Sequence, residues 1–264
     1  MSAATVPRCL TIAGSDSGGA AGIQADLKAF AATGCHGMTA IVALTAQNTI
    51  GVADVLEVPA EFVRAQLDAV FSDIGVDAAK TGMLFSATIV ETVADFLTGR
   101  DVPLVVDPVM VASSGARLLQ DDAVEALVAR LFPLATVITP NLMEAQALAG
   151  TGTGLSLSLL SEGLHAMGAP AVIITGGHGD RHVDHLFDGN EHIEIPVERH
   201  QVKATHGAGC THSATLAALL ARGLPLQEAA RGAAEAASRA VEQGLTELGA
   251  GDGPVDVLGI RAAR

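Results

Sequence analysis

The sequence predicts an α/β fold with a mainly parallel central sheet and helices on both of its faces. Strand-like apolar runs and helical segments alternate six or more times along the 264 residues, which is the order of βαβ units. Glycine or polar residues close nearly every apolar run, as they do at the ligand-binding edge of open parallel sheets. Apolar residues make up 49% of the chain, so a large core can form. Because the alternation has no break and no fixed-period repeat, we expect one domain over residues 1–264.

The predicted strands are short apolar runs, rich in β-branched residues, that stop at a polar or glycine residue. The clearest spans 104–110, because a continuous apolar run is typical of a parallel strand covered on both faces. Around Asp188-Gly189-Asn190 the alternating pattern predicts a hairpin. The other expected strands are residues 9–13, 38–46, 78–83, 136–141, 171–175 and 193–197.

Segments with apolar residues at helical spacing follow most of these strands. Pro59 marks the start of one such helix over 59–74, and its predicted apolar face consists of Phe62, Ala65, Gln66, Ala69 and Val70. Gly34 and Gly99 follow the last apolar residues of two other helices and end them. The remaining predicted helices are 20–30, 86–97, 121–131, 142–148, 161–167, 213–223 and 225–242.

The charge and the cysteines exclude several classes of protein. With a formal net charge of −14, the chain lacks the basic surface that is typical of a nucleic-acid-binding protein, and binding to an anionic membrane is unfavourable. Cys9, Cys35 and Cys210 lie far apart and form no Cys-x-x-Cys pair, which argues against a zinc ribbon or a disulfide scaffold. No signal peptide or apolar stretch of membrane-spanning length is recognisable, so we expect a cytoplasmic protein.

A glycine turn at residues 205–213 leads into a predicted helix. Gly207 and Gly209 let the backbone approach a ligand, and the first N–H groups of a helix have no partners within it. This combination suits an anion, above all a phosphate. Cys210 would lie in the same positive field, which favours the thiolate. The alternative is a simple tight turn with Cys210 as a small buried apolar residue.

Four side chains near predicted strand ends have two interpretations each. Asp26 either compensates a helix dipole in solvent or belongs to a site, and Gln47 makes either a turn hydrogen bond or a ligand contact. Lys80 is a candidate partner for an anion, although most lysines are simply solvated. Asp107, at the end of the clearest strand, either holds a metal ion or caps a turn.

Residues 178–200 contain five histidines. A metal cluster is conceivable there, but these histidines lack the tight spacing of zinc ligands. The alternating apolar pattern favours a hairpin of short strands instead.

Seven short motifs occur in order along nearly the whole chain, from Leu10 to Gly253-Pro254. They are Ala13-Gly14-Ser15-Asp16-Ser17-Gly18-Gly19, Gly22-Ile23-Gln24-Ala25-Asp26-Leu27-Lys28, Ala46-Gln47-Asn48-Thr49, Lys80-Thr81-Gly82-Met83, Asp107-Pro108-Val109-Met110, Thr139-Pro140-Asn141 and Thr205-His206-Gly207-Ala208-Gly209-Cys210-Thr211. Each motif is weak by itself. Together they resemble the hydroxymethylpyrimidine and phosphomethylpyrimidine kinases of thiamine biosynthesis, within the ribokinase-like superfamily.

The resemblance implies a ribokinase-like three-layer α/β/α sandwich and transfer of phosphate from ATP with Mg²⁺ to a pyrimidine. Family habit and the frequency of two-fold dimers also predict a homodimer. By the same resemblance, Cys210 stands where many relatives have an aspartate base. The anion hole for the phosphoryl group would comprise Gly207, Ala208 and Gly209. The pyrimidine pocket would comprise Gly14, Asp26, Gln47, Met83 and Val109. ATP and its phosphates would contact Asn141, Thr175, Gly177, Thr205, Gly207 and Gly209, and Mg²⁺ would be held by Asp107 and Glu144.

The sequence departs from this family at positions that concern phosphate binding. Thr175 and Ser113 stand where many relatives have lysine, while Ala20 and Ala208 stand where glycine and threonine are common. A threonine at position 175 also occurs in vitamin B6 kinases of the superfamily, so pyridoxal kinase is the near alternative. A non-catalytic nucleotide-binding protein is the alternative from another class, and the intact Cys210 argues against it.

Overall fold

A computed structural model of the chain describes residues 6–111, 115, 119–151, 154–176 and 182–261. Its strands form one nine-stranded sheet. They are β1 (Arg8–Asp16), β2 (His36–Gln47), β3 (Val52–Glu57), β4 (Ala78–Thr81), β5 (Leu104–Val106), β6 (Val137–Ile138), β7 (Val172–Ile174), β8 (Val183–Phe187) and β9 (His192–Pro196). Across the sheet their order is β3-β2-β1-β4-β5-β6-β7-β8-β9.

The sheet is parallel in its centre and antiparallel at both edges. All neighbouring pairs from β2 across to β7 are parallel. At the edges, β3 runs antiparallel to β2, and β8 and β9 continue beyond β7 as an antiparallel hairpin. The hairpin predicted around position 189 is therefore confirmed. Because parallel strands share their direction, the carboxyl ends of β1, β4, β5, β6 and β7 meet at one edge of the sheet.

The helices of the described residues cover both faces of this sheet. None of them is both long enough and apolar enough to cross a membrane. Two π-helical turns, Val70–Ile74 and Leu127–Leu131, prolong the second and fourth helices. The helices are α1 (Gly22–Ala32), α2 (Ala60–Ala69), α3 (Ala87–Leu97), α4 (Asp121–Ala126), α5 (Leu142–Leu148), α6 (Leu157–Ala166), α7 (Ala208–Ala221) and α8 (Leu226–Glu242).

Alternate residues of the strands enter two separate cores, one on each face of the sheet. In β5, Leu104 and Val106 pack into the core that also contains residues of α2 to α6. The residue between them, Val105, packs into the core built with α1, α7 and α8. Successive strand residues point to opposite faces, so a strand that is buried on both needs a helix layer on each side. The three-layer α/β/α sandwich predicted from the sequence is confirmed.

Three elements differ from the sequence prediction. Strand β3 is not predicted from the sequence, because four of the six residues of this strand are exposed at the sheet edge and their apolar pattern is weak. The run 104–110 is a strand only to Val106, since Pro108 has no N–H group to continue the ladder. Helix α7 begins at Ala208 rather than at 213, because Gly207 adopts a left-handed φ of 90° and forms its N-cap.

Helix α2 buries a different face from the predicted one. Phe62, placed on the apolar face by the sequence analysis, is 60% exposed, whereas Val63 and Leu67 have no exposed surface. These two buried residues are one helical turn apart and pack against the sheet core. The predicted face and the buried face thus differ by about one residue, which is a rotation of roughly 100° about the helix axis.

Substitutions on the two faces of α2 should therefore differ strongly in cost. We expect Leu67→Ala to lower the free energy of unfolding by about 2–5 kcal/mol, because it leaves a cavity in a packed core. The matched control Phe62→Ala removes a larger but exposed side chain and should change it by less than about 0.5 kcal/mol. Urea unfolding measures both values, and equal losses would show that the assigned face is wrong.

Candidate active site

The N-terminal turn of α7 offers several backbone donors to a ligand. A Cβ atom at Gly207 would lie 1.8 Å from the carbonyl oxygen of Ala20, so only glycine fits the turn. The Ala208 N–H donates to the carbonyl oxygen of Thr205 at 3.1 Å. Within the described residues, the N–H groups of Gly207, Gly209 and Cys210 have no acceptor. Free donors at a helix N-terminus suit an anion, as predicted, although Ala208 itself contributes none.

Residues 252–255, near the C-terminus, hold the turn before α7. The sequence alone does not connect this segment with the site. Asp252 accepts hydrogen bonds from the backbone N–H and the hydroxyl of Thr205 at 2.9 and 2.8 Å. His206 donates its N–H to Gly253 and accepts one from Val255. The Thr205 hydroxyl thus helps to shape the turn, and its predicted contact with ATP stays a prediction.

Cys210, in the first turn of α7, is partly buried and does not carry the predicted thiolate. Burial raises the pKa of its thiol to about 12, and the nearby carboxylates of Asp26 and Asp107 add to the effect. The Lys80 ammonium and the N–H of Gly22 oppose this shift but do not outweigh it. The expectation that the helix N-terminus lowers the thiol pKa is therefore wrong, because desolvation exceeds the dipole effect.

Lys80 and Asp26 form an ion pair with no exposed surface. The Lys80 Nζ lies 2.9 and 3.0 Å from the two carboxylate oxygens of Asp26, and the Thr11 hydroxyl donates to Asp26 Oδ2 at 2.6 Å. Burial alone would lower the pKa of Lys80, but the acidic groups around it raise that pKa above its ordinary value. Neither residue is the solvated surface charge that the commoner interpretation predicts. Asp26 has no exposed surface in this conformation, and its place in the pyrimidine pocket stays a prediction.

Asp107 and Glu144 form the candidate metal site. The Ser213 hydroxyl of α7 donates to Asp107 Oδ2 at 2.7 Å. Asn141 caps α5 through a reciprocal pair of 2.9 Å bonds: its side chain accepts from the Glu144 N–H, and its own N–H donates to Glu144 Oε2. Burial, reinforced by the charge of Asp107, raises the pKa of Glu144 to about 8.

These two carboxylates fit a magnesium ion bound together with phosphates. A buried glutamate whose pKa is raised by a neighbouring carboxylate is an arrangement that a divalent cation would relieve. Mg²⁺ is usually bound through one or two carboxylates, with substrate phosphates and water completing its shell. Among the described residues, no three or more His, Cys, Asp or Glu side chains are grouped so that they could hold a metal ion by themselves. A magnesium ion here would therefore need ligands from phosphates and water as well as from the protein.

Gly14, Met83 and Gln47 lie where β1, β2 and β4 end. A Cβ atom at Gly14 would meet the Met83 Cε at 2.5 Å, and the Gly14 N–H donates to the Met83 carbonyl oxygen at 3.2 Å. The Gln47 amide nitrogen lies 3.2 Å from the His206 Nε2 and its oxygen accepts from Thr45 at 3.1 Å. The sheet therefore brings together the predicted residues at these three strand ends.

A cleft of 360 Å³ adjoins Gln47 and His206. Residues 48–50 form one wall and residues 250–252 the other. Asp16, which the sequence analysis did not single out, lies behind it with an oxygen 3.5 Å from the His206 ring. Burial would raise the pKa of Asp16, but His206 and the N–H groups of Gly18, Ala20 and Ala21 lower it overall. An aspartate two residues before a glycine is a turn signal that could have identified it.

The glycine segment after β7 is tied to α7 through β8. The Asp184 carboxylate accepts the Gly176 N–H at 2.9 Å and lies 3.1 Å from the ring of His212. Thr175 donates its N–H to Pro140 and forms a bridge beside Asn141. Thr175 is thus close to the Asn141–Glu144 cap, as a phosphate contact requires. The predicted phosphate contact Gly177 lies outside the described residues, and so does Ser113.

Val109 follows Asp107 at the end of β5 and is partly buried. Its N–H donates to the Asp107 carbonyl oxygen at 2.9 Å, which turns the chain sharply after the strand. The predicted pocket residue and the predicted metal ligand are therefore held by one tight turn. Of the predicted site residues in the described part of the chain, all lie at the carboxyl edge of the sheet or on the helix ends that face it.

The chain matches one family over most of its length. Residues 16–256 match the family model described as phosphomethylpyrimidine kinase. The hydroxymethylpyrimidine/phosphomethylpyrimidine kinase of Rhizobium meliloti (strain 1021) is 48% identical over 254 residues, which cover 93% of this chain and 95% of that protein. The ADP complex of Bacillus subtilis pyridoxal kinase has a TM-score of 0.89 and 38% identity, covering 97% of this chain and 99% of that one.

A second solved structure carries the family's own name. The phosphomethylpyrimidine kinase of Clostridium difficile 630 has a TM-score of 0.77 and 38% identity, covering 88% of this chain and 97% of that one. The family model alone spans far more than half of the 264 residues. The fold, the motifs and these matches agree: the chain belongs to the phosphomethylpyrimidine kinase family, within the ribokinase-like kinases.

Proposed function

We propose that this protein uses ATP to phosphorylate 4-amino-5-hydroxymethyl-2-methylpyrimidine and then its monophosphate, in thiamine diphosphate biosynthesis. The observation that carries the proposal is the 2.7 Å contact between Ser213 and Asp107. It fixes the N-terminal turn of α7 beside the carboxylates of Asp107 and Glu144. A phosphoryl group at this place would have backbone donors on one side and ligands for a cation on the other.

The strand ends beside this turn suit a small aminopyrimidine. Gln47 offers an amide donor and an acceptor, which match the amino group and ring nitrogen of such a base. Because Gly14 has no side chain, the Met83 thioether packs directly against it, and this flexible apolar group also packs well on an aromatic ring. Both residues lie at strand ends on the same edge as Asp107, where an acceptor can reach the transferring phosphate.

Phosphoryl transfer at this site depends mainly on position and electrostatics. The acceptor oxygen attacks in line, and the N–H groups of Gly207, Gly209 and Cys210 stabilise the oxygens of the transferring group. Because the Cys210 thiol is protonated at neutral pH, it orients the attacking oxygen instead of acting as a preformed base. A loose, metaphosphate-like transition state needs little help from a base. When bound by Asp107 and Glu144, Mg²⁺ would neutralise phosphate charge, which a chain of net charge −14 requires.

Pyridoxal phosphorylation is the second candidate function. Two observations favour it: Thr175 replaces a lysine common in pyrimidine kinases, and the Bacillus subtilis pyridoxal kinase has the same fold at 38% identity. The curated relative at 48% identity is a pyrimidine kinase, so pyridoxal has the weaker support. A nucleotide-binding protein without turnover is the remaining alternative.

The first test is ADP release with Mg-ATP and a single acceptor at a time. We expect turnover on hydroxymethylpyrimidine and on its monophosphate, with kcat/KM at least about tenfold above that on pyridoxal. Turnover on pyridoxal alone would replace the proposal with vitamin B6 phosphorylation. ATP binding without turnover on any acceptor would support the non-catalytic alternative.

Replacing the thiol should affect the two acceptors unequally. An alcohol acceptor depends on the hydrogen bond that orients its oxygen, whereas an ionised phosphate acceptor is also positioned by its charge. We therefore expect Cys210→Ala to lower kcat for the alcohol by about 10²-fold and for the phosphate by at least tenfold less. Steady-state rates on both acceptors measure this, and equal losses would show that Cys210 does not orient the alcohol.

The protonation state of Cys210 can be measured directly. With a thiol pKa of about 12, its alkylation by iodoacetamide should be slow at pH 7 and rise about tenfold per pH unit up to pH 10. Mass spectrometry of the Cys210 peptide follows the rate, and Cys9 and Cys35 in the same digest serve as buried references. A rate that levels off below pH 8 would show that the thiolate is preformed.

We also propose a homodimer located in the cytoplasm. Two-fold dimers are the commonest oligomers. The outer face of the β2–β3 edge carries the exposed cross-strand pair Leu44 and Leu56, which a second copy would cover. Three unpaired cysteines suit a reducing compartment. Light scattering would give twice the 26.6 kDa of one chain for the dimer.

A further inference from the structure

Lys80 lies at the centre of the site, but it has no exposed surface that a ligand could contact. Around it are the carboxylates of Asp26 on α1 and Asp107 after β5. One buried cation thus joins two carboxylates from two different elements, and the mechanism proposed above does not use it.

The contacts of Asp107 are divided unevenly between its two oxygens. Oδ2 accepts from the Ser213 hydroxyl at 2.7 Å and lies 3.8 Å from the Lys80 Nζ. Oδ1 has no hydrogen-bond partner within the described part of the chain. Ser213 and the charge of Lys80 therefore act on the same oxygen of Asp107, which leaves the other oxygen available.

The Lys80 Nζ is itself fixed with little freedom to move. Its bidentate contact with Asp26 is reinforced by Thr11, which donates to the same carboxylate at 2.6 Å. A Cβ atom at Gly82 would lie only 3.0 Å from Nζ, so the glycine leaves the space that the ammonium occupies. Asp26 sets where the positive charge lies.

Stability alone gives no reason for this arrangement. A buried ion pair loses so much hydration that an apolar pair of similar volume is often as stable or more so. The functional carboxylate of Asp107, in contrast, depends on a positive charge at this point. That makes a role in the reaction the better explanation for a charged residue at position 80.

We propose that Lys80 is a positioning residue for the phosphoryl transfer. With Ser213 it locks Asp107 so that Oδ1 faces the phosphates and their cation, and Asp26 serves to anchor Lys80. The inference rests on the proposed function, since it names the residue that prepares the phosphate side of that site. It also explains why Asp26, which has no exposed surface, belongs to a motif of this site.

The test removes both charges of the pair together, because Lys80→Met alone would leave Asp26 buried and unpaired. The double variant Lys80→Met/Asp26→Asn keeps the shapes and the net charge of the pair. Its matched control is Arg64→Met/Asp68→Asn, which removes an exposed ion pair on α2. Three quantities are measured: kcat, the KM for the pyrimidine, and the Kd of Mn²⁺ with ADP from the signal of free Mn²⁺ in electron paramagnetic resonance.

We expect the double variant to unfold in urea near the wild-type midpoint. Its kcat should fall at least about tenfold and its Mn²⁺·ADP Kd rise at least about tenfold, while the pyrimidine KM changes less than about threefold. The control should match the wild type in all three. Wild-type values of kcat and Kd in the double variant would overturn the proposal. A raised pyrimidine KM with unchanged Mn²⁺·ADP binding would also overturn it, because the effect would then belong to Asp26 in the acceptor pocket.

Ser213→Ala keeps the proposal testable if the double variant does not fold. It removes the other contact to Asp107 Oδ2 and leaves the ion pair intact, so the Mn²⁺·ADP Kd should rise about threefold or more. Unchanged binding in Ser213→Ala would overturn the proposal. Failure of the proposed function is separate from these outcomes, since it would show as wild-type protein without turnover on either pyrimidine while Mn²⁺·ADP binding can still be measured.

Discussion

The buried charge of Lys80 is the constraint on which the site depends. Two carboxylates converge around it, and neither of them could remain there as an anion without a cation nearby. The bidentate contact with Asp26 fixes that cation at 2.9 and 3.0 Å. Its distance of 3.8 Å from Asp107 then carries the same constraint to the phosphate side. One interior ion pair thus connects α1, β4, β5 and α7.

The N-terminus of α7 depends equally on close backbone packing. Gly207 lies against the carbonyl oxygen of Ala20 at a distance that excludes any side chain. Asp252 and Gly253 hold the preceding residues from the C-terminal segment. The free N–H groups therefore keep a fixed direction, which is what electrostatic stabilisation of a transferring phosphoryl group requires. At Cys210, the same enclosure keeps the thiol protonated and limits it to orienting the acceptor.

Much of the fold could be predicted from local pattern. The alternation of apolar runs and helical spacing gave the parallel sheet, the two helix layers and the β8–β9 hairpin, since period and side-chain direction are fixed by the backbone. The exposed edge strand β3 and the buried face of α2 could not be found in this way. At Phe62 and Leu67 the same helix pattern permits two neighbouring faces, and only the sheet beneath selects one.

At the site, the sequence by itself determined that Gln47, Asp107 and Asn141 stand at the carboxyl edge of the sheet. Their order along the chain and the parallel direction of the strands are enough for that. Only the tertiary structure decided that Lys80 is buried, that Cys210 is a thiol and that Asp252 supports Thr205. Desolvation and ion pairing depend on which groups surround a side chain, and those groups come from segments far apart in the sequence.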